Sequence, residues 1–147
     1  PLARALRSDK LTLAALETTL RHYLDPNEAL REIPVLRMLA VTPQELRRRC
    51  RRLQRRLAPL AEELHCEIVP EPSAVGGGAL PLTELPGVAL ALRPQTLSVD
   101  ALATRLRLGT PAVVGRRRDD LFIINPRTLR QDEEATLCAA ITSALAP

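Results

Sequence analysis

The segment Thr42-Pro-Gln-Glu-Leu-Arg-Arg-Arg-Cys-Arg-Arg-Leu-Gln-Arg-Arg-Leu57 commits the chain to burying one helix face against something else. Thr42 is a side-chain cap, Pro43 suits the first helical position, and Glu45 completes a capping box. From there Leu46, Cys50, Leu53, Leu57, Leu60 and Leu64 recur three and four apart, which predicts a helix reaching about Leu64. Arg47, Arg48, Arg49, Arg51, Arg52, Arg55 and Arg56 fill the positions between. Such a helix has an apolar stripe for a core and a wide positive face. That face either attracts RNA phosphates in a salt-dependent, sequence-blind way or is simply solvated, and both readings stay open.

The whole chain shares this bias. It has 147 residues, 21 Lys and Arg against 17 Asp and Glu, and a formal net charge of +4. Lys10 is the only lysine. The excess favours anionic partners such as phosphate or RNA. Tyr23 and Phe122 are the only aromatic residues, which argues against a module that stacks bases on aromatic rings. Cys50, Cys66 and Cys138 form no Cys-x-x-Cys pair, and His22 and His65 are isolated, so neither a zinc site nor a redox motif is indicated. Cys50 and Cys138 fall in apolar helical runs and read as small buried hydrophobes. This usage suits a reducing cytoplasm. The chain has no initiator Met, no signal peptide and no apolar run of membrane length, and is expected to be a piece of a longer cytoplasmic protein.

Other elements follow from local signals. Ser8 or Asp9 caps a helix to about Tyr23, with Leu13, Leu16, Leu20 and Leu24 at helical spacing and Asp25-Pro26 as its stop. Glu28 to Ile33 and Val35 to Ala40 read as short helical turns, separated by Ile33-Pro34. Cys66 to Val69 and Gly87 to Leu92 read as strands, with a Gly/Pro-rich loop from Ser73 to Leu85 between them. Ser98 caps a helix from Val99 to about Leu106. Ala112 to Arg116 and Leu121 to Ile124 are predicted strands joined by a hairpin turn at Arg118-Asp119-Asp120. Asp132, Glu133 and Glu134 open a last helix to about Leu145. The expected architecture is α/β: a small, mostly antiparallel sheet with helices on one face.

The opening block Pro1-Leu-Ala-Arg-Ala-Leu-Arg-Ser-Asp-Lys-Leu-Thr-Leu-Ala-Ala-Leu-Glu-Thr-Thr-Leu20 resembles the C-terminal portion of bacterial L-seryl-tRNA(Sec) selenium transferases (selenocysteine synthases). So do Ile33-Pro-Val-Leu-Arg-Met-Leu39, Val75-Gly-Gly-Gly-Ala-Leu-Pro81 and Leu85-Pro86. The resemblance implies the small domain of an aspartate-aminotransferase-like (fold type I) enzyme. Residues 1–41 would be a connecting arm and helix from the large domain, and residues 42–147 the C-terminal small α/β domain. It implies a pyridoxal 5'-phosphate (PLP)-dependent conversion of seryl-tRNA(Sec) to selenocysteinyl-tRNA(Sec) with selenophosphate, carried out by a homo-oligomer. The family's Schiff-base lysine lies in a Gly-Asp-Lys-Leu-Leu-Gly-Gly-Pro-Gln-Ala-Gly stretch that this chain lacks. Lys10 matches a different lysine of the family, so no catalytic residue is expected here and the chain alone is expected to be inactive.

The resemblance assigns Arg4 and Arg7 to the selenophosphate site. Their spacing agrees, since residues three apart share one face of a helical turn and two guanidiniums there can bind one oxyanion. Gly76-Gly77-Gly78 can form an anion-binding nest, but no Lys-Ser/Thr follows, and the segment reads as a structural loop near the site. Arg116, after Gly115 at a strand end, is a candidate substrate-binding residue, since enzymes of this broad fold often keep a carboxylate-binding arginine in the small domain. An exposed hairpin arginine beside Arg117 and Arg118 explains it equally well. Asn125-Pro126-Arg127-Thr128 departs from the family's usual Asp-Leu-Arg-Thr, losing a charge and a backbone donor. Two other functions stay open: a stand-alone binding or assembly module, and a related PLP lyase or transferase acting on a small amino compound.

Overall fold

The computed structural model describes residues 4, 6–75 and 83–146. It divides into two compact units, Pro1–Ala40 and Val41–Pro147.

The described part of the first unit includes the helices α1 (Lys10–His22), α2 (Pro26–Glu32) and α3 (Pro34–Ala40). Asp9 provides the α1 cap, its carboxylate accepting from the Leu11 and Thr12 amides at 2.8 and 3.0 Å and from Thr12 Oγ1 at 2.8 Å. These bonds, the Thr12 amide foremost, favour the charged form and lower the Asp9 pKa. Asp25 and Pro26 do more than stop α1. Asp25 accepts from the Asn27 amide at 2.9 Å and Pro26 takes the first position of α2. Ile33 has ψ 109°, the extended backbone that a following proline enforces. His22 Nδ1 lies 2.9 Å from Glu28 Oε1 and ties α1 to α2.

In the second unit, α4 (Pro43–Leu57) begins as its sequence dictates, with the Glu45 amide donating to Thr42 Oγ1 at 3.2 Å. The reciprocal half of the capping box is replaced, because the Glu45 carboxylate accepts from Arg49 Nη2 at 2.5 Å. The helix also stops earlier than its stripe predicts. Pro59 has no amide hydrogen and its ring crowds the preceding turn, so residues Ala58–Leu60 tighten into a 3₁₀ turn. Leu64 therefore opens a strand instead of closing a helix.

Strands β1 (Leu64–Pro70), β4 (Val88–Pro94), β5 (Arg116–Arg118) and β6 (Leu121–Ile124) form one sheet in the order β1-β4-β6-β5, every neighbouring pair antiparallel. A separate ribbon pairs β2 (Ser73–Ala74) with β3 (Glu84–Leu85). The register sets Cys66 opposite Leu92, Ile68 opposite Leu90, and Leu92 opposite Phe122. Helices α4, α5 (Val99–Leu108) and α6 (Glu134–Leu145) share one core with Leu90, Leu92, Phe122 and Ile124, so they cover that face of the sheet. The opposite face carries a small cluster of Ala89, Ala91 and Ile123.

The expected strand at 112–116 is displaced to Arg116–Arg118. The Val113 amide donates to Leu106 O at 2.8 Å, which holds this stretch on α5 and out of the ladder. The hairpin turn is Asp119-Asp120, with Arg118 paired to Leu121 and Asp119 at φ 52°, a conformation aspartate tolerates. Gly115 precedes it because a Cβ there would lie 2.5 Å from Phe122 Cζ and 2.8 Å from Ile123 O. The last helix also begins later than its acidic residues suggest, since Gln131–Glu133 form a 3₁₀ turn before α6. No described helix is long and apolar enough to cross a membrane.

Candidate functional site

Arg4 and Arg7 are both exposed, and the Arg7 amide points to Arg4 O at 3.4 Å across one turn. Neither is ion-paired with a described residue, so both guanidiniums are open to an anion. Lys10 begins α1 and is exposed. Among the described residues nothing encloses Lys10, so these residues alone form no pocket for a cofactor ring around it. Gly76, Gly77 and Gly78 lie outside the described residues.

The second unit holds a cavity of about 640 Å³ between the β2 segment, the stretch before β5 and the start of α6. Its polar lining includes Glu71, Ser73, Arg116, Asn125 and Arg127. Glu71, only 4 % exposed, follows β1, and each of its oxygens is held by a different arginine. Arg116 Nη1 donates to Oε1 at 2.8 Å and Arg118 Nη1 to Oε2 at 2.7 Å. Arg116 thus reaches the cavity, but already engaged by a carboxylate of its own chain. Its neighbour Arg117 pairs with Asp100.

Arg127 was the less conspicuous arginine in the sequence and is the buried one, at 6 % exposure. It donates from Nη1 to Val41 O at 2.9 Å, from Nη2 to Pro86 O at 2.9 Å and from Nε to Ser73 Oγ at 3.2 Å. Burial lowers its pKa from the usual guanidinium value. Asn125 completes this group. Its Oδ1 accepts from the Arg127 amide at 3.0 Å and its Nδ2 donates to Ser73 Oγ at 2.8 Å. An acceptor oxygen at position 125 therefore persists without the aspartate charge, and Pro126 is fully buried. Sequence reasoning missed Glu71, Ser73 and Arg127 as a group. The one available signal was Glu71 standing between Pro70 and Pro72 at a strand end.

The arginines of α4 split into two sets. Arg49 turns inward, donating from Nη1 to Leu129 O at 3.2 Å as well as to Glu45. Arg52 makes a two-pronged pair with the buried Glu134, at 2.7 and 3.2 Å, and these hydrogen bonds raise its pKa. Arg47, Arg48, Arg51, Arg55 and Arg56 remain exposed.

Burial disfavours the thiolate at all three cysteines. Burial pushes the thiol pKa of Cys50 and of Cys66 to about 11 from the ordinary 9.0, and raises that of Cys138. At pH 8 the folded chain should alkylate with iodoacetamide at Cys50 and Cys66 about 100-fold more slowly than the urea-unfolded chain, the ratio of their thiolate fractions. The difference should shrink as pH rises toward 11. Equal labelling at pH 8, mapped by mass spectrometry, would contradict this burial. Among the described residues no cluster of His, Cys, Asp and Glu could hold a metal ion.

Fold and surface together define an α/β chain with a basic exterior and several arginines turned to solvent. The family model for L-seryl-tRNA selenium transferase matches residues 1–130, and the chain belongs to that family. It is 47 % identical over 146 residues to the L-seryl-tRNA(Sec) selenium transferase of Nitratidesulfovibrio vulgaris, covering 99 % of this chain and 31 % of the relative. The enzyme of that name from Moorella thermoacetica is 44 % identical over 146 residues, with the same coverage of both chains. That from Desulfotalea psychrophila is 46 % identical over 143 residues, covering 96 % of this chain and 30 % of its own. The chain thus spans less than a third of the length of these relatives.

Proposed function

We propose that this chain is the C-terminal part of an enzyme that converts seryl-tRNA(Sec) to selenocysteinyl-tRNA(Sec) with selenophosphate. The observation that carries this reading is the 47 % identity to a relative of that name along 99 % of the chain. In this reading residues 1–41 form the connecting arm and residues 42–147 the small domain of a fold type I enzyme, a division that the two compact units support to within one residue. The enzyme is a cytoplasmic homo-oligomer.

Arg4 and Arg7 hold the anionic selenium donor. Two guanidiniums on one turn offer a fixed set of donors, and each bond to the phosphoryl oxygens is charge-assisted. Arg116 is not free to take a substrate carboxylate unless Glu71 releases it. When bound, pyridoxal 5'-phosphate supplies an electron sink for loss of the serine hydroxyl. These 147 residues lack the Gly-Asp-Lys-Leu-Leu-Gly-Gly stretch that holds the anchor in the family, so in this reading its lysine lies outside them and the chain alone is inactive.

The intact mass of the native gene product is the first test. About three times 16.2 kDa is expected, because the chain spans 31 % of its relatives. That product should form selenocysteinyl-tRNA(Sec) from seryl-tRNA(Sec) and labelled selenophosphate. A native mass near 16.2 kDa would replace this reading with a stand-alone binding module. Activity on a small amino compound without tRNA would replace it with the lyase or transferase.

A further inference from the structure

The outward face of α4 carries four exposed arginines that no described carboxylate neutralises, although Arg55 Nε also donates to Arg51 O at 3.3 Å. At 3.6 residues per turn, Arg47, Arg48, Arg51 and Arg55 fall within about 100° of the helix circumference, opposite Leu46, Cys50, Leu53 and Leu57. They cover about 12 Å of helix at 1.5 Å per residue. Arg49 and Arg52 fall on the flank and are consumed by Glu45, Glu134 and backbone carbonyls. None of the four outward arginines is ion-paired with a described residue.

That contrasts with much of the remaining surface. Exposed Arg21, Arg31, Arg117 and Arg130 each have a carboxylate partner close by. The only acidic residue of α4, Glu45, is turned to Arg49. Like charges four apart repel along a helix, as Arg47 does with Arg51 and Arg51 with Arg55. A polyanion laid along this face would relieve that repulsion and release its own counterions. The helix carries no aromatic residue on which a base could stack, so recognition by this face is of backbone charge, not of bases.

We propose that this face, Arg47, Arg48, Arg51 and Arg55, binds the phosphate backbone of the tRNA substrate at a surface separate from the selenophosphate residues. The choice of tRNA over another polyanion rests on the function proposed above. The contact is electrostatic and sequence-blind, and it adds affinity and encounter rate without touching the reacting group.

The test is filter binding of a tRNA(Sec) transcript to the full-length gene product between 50 and 200 mM KCl. The parent is compared with R47Q/R48Q/R51Q/R55Q and with a charge-matched control, R21Q/R31Q/R37Q/R107Q. Glutamine keeps the helix propensity of arginine. At about 0.9 per phosphate contact, the α4 variant should lose about 3.6 from the slope of log K against log salt. That corresponds to an affinity loss on the order of 100-fold or more at 0.1 M salt, with less than about 3-fold for the control. The pair R48Q/R55Q, expected to lose about half that slope, decides the matter if the fourfold variant does not fold. An unchanged slope, or equal losses in variant and control, overturns the proposal. So does loss of polyglutamate binding with tRNA binding intact, which would make the partner an acidic protein. Each preparation is also assayed for selenium transfer. Transfer with an unchanged slope removes the α4 surface alone, whereas a parent without transfer removes the functional reading and leaves the slopes to judge the surface.

Discussion

Exchanging Arg4 and Arg7 together for glutamine in the full-length gene product should lower kcat/KM for selenophosphate by about 100-fold, the effect of losing two charge-assisted hydrogen bonds at roughly 1.5 kcal/mol each. Both side chains are exposed and neither has a described acidic partner, so the exchange removes anion binding without leaving a buried charge behind. The loss should fall mainly on KM for selenophosphate, while affinity for seryl-tRNA(Sec) stays near that of the parent. The R4K/R7K variant should recover only part of the loss, because an ammonium is a point donor and cannot reproduce a planar fork. An R4Q/R7Q enzyme with the parent KM for selenophosphate would detach these residues from the donor site.

Most of what the chain announced about itself was local. Asp9, Thr42 and Ser98 cap helices as their sequence context indicates, each by a bond to an amide two or three residues on, whereas Asp25 was read only as a stop and also caps α2. The leucine stripe of α4 was legible for the same reason, since a helical period depends only on near neighbours. The misreadings have separate physical causes. Leu60 and Leu64 extend the stripe on paper, but Pro59 outweighs periodicity with a missing donor and a steric clash. Val113 looks like a strand residue until its amide is found on Leu106, and no sequence pattern encodes that partner. Position 45 satisfied a local motif, yet the ion pair with Arg49 was the better use of the carboxylate.

The site shows the same division more sharply. Arg4 and Arg7 were singled out by a short motif, and the comparisons establish the family that the motif indicated. The fates of Arg49, Arg52 and Arg116 were not legible, because their partners Leu129, Glu134 and Glu71 lie 80, 82 and 45 residues away. A run of seven arginines reads as one uniform face in sequence. Folding divides it by angle, consuming the flank that meets α6 and leaving the outward row.

Replacing Arg127 by alanine should destabilise the Val41–Pro147 unit by about 3 kcal/mol, since each buried acceptor left unsatisfied costs roughly 1–3 kcal/mol. The guanidinium joins Val41 O before α4, Pro86 O before β4 and Ser73 Oγ in β2, and so ties the start of α4 to the two strands of the β2–β3 ribbon. Truncation exposes those acceptors to a cavity and removes the guanidinium that donates to all three. Urea unfolding of the 147-residue chain should show the midpoint falling with little change in slope. The R127M variant keeps most of the aliphatic stem and should still lose most of the stability, because the donors and not the packing carry the link. Ser73→Ala should cost about 1 kcal/mol, and the double variant S73A/R127A should fall short of the sum, since both act in one hydrogen-bonded group. A parental midpoint in R127A would mean that water replaces the guanidinium at all three oxygens. The cavity wall would then be held by the β2–β3 ribbon and the core alone.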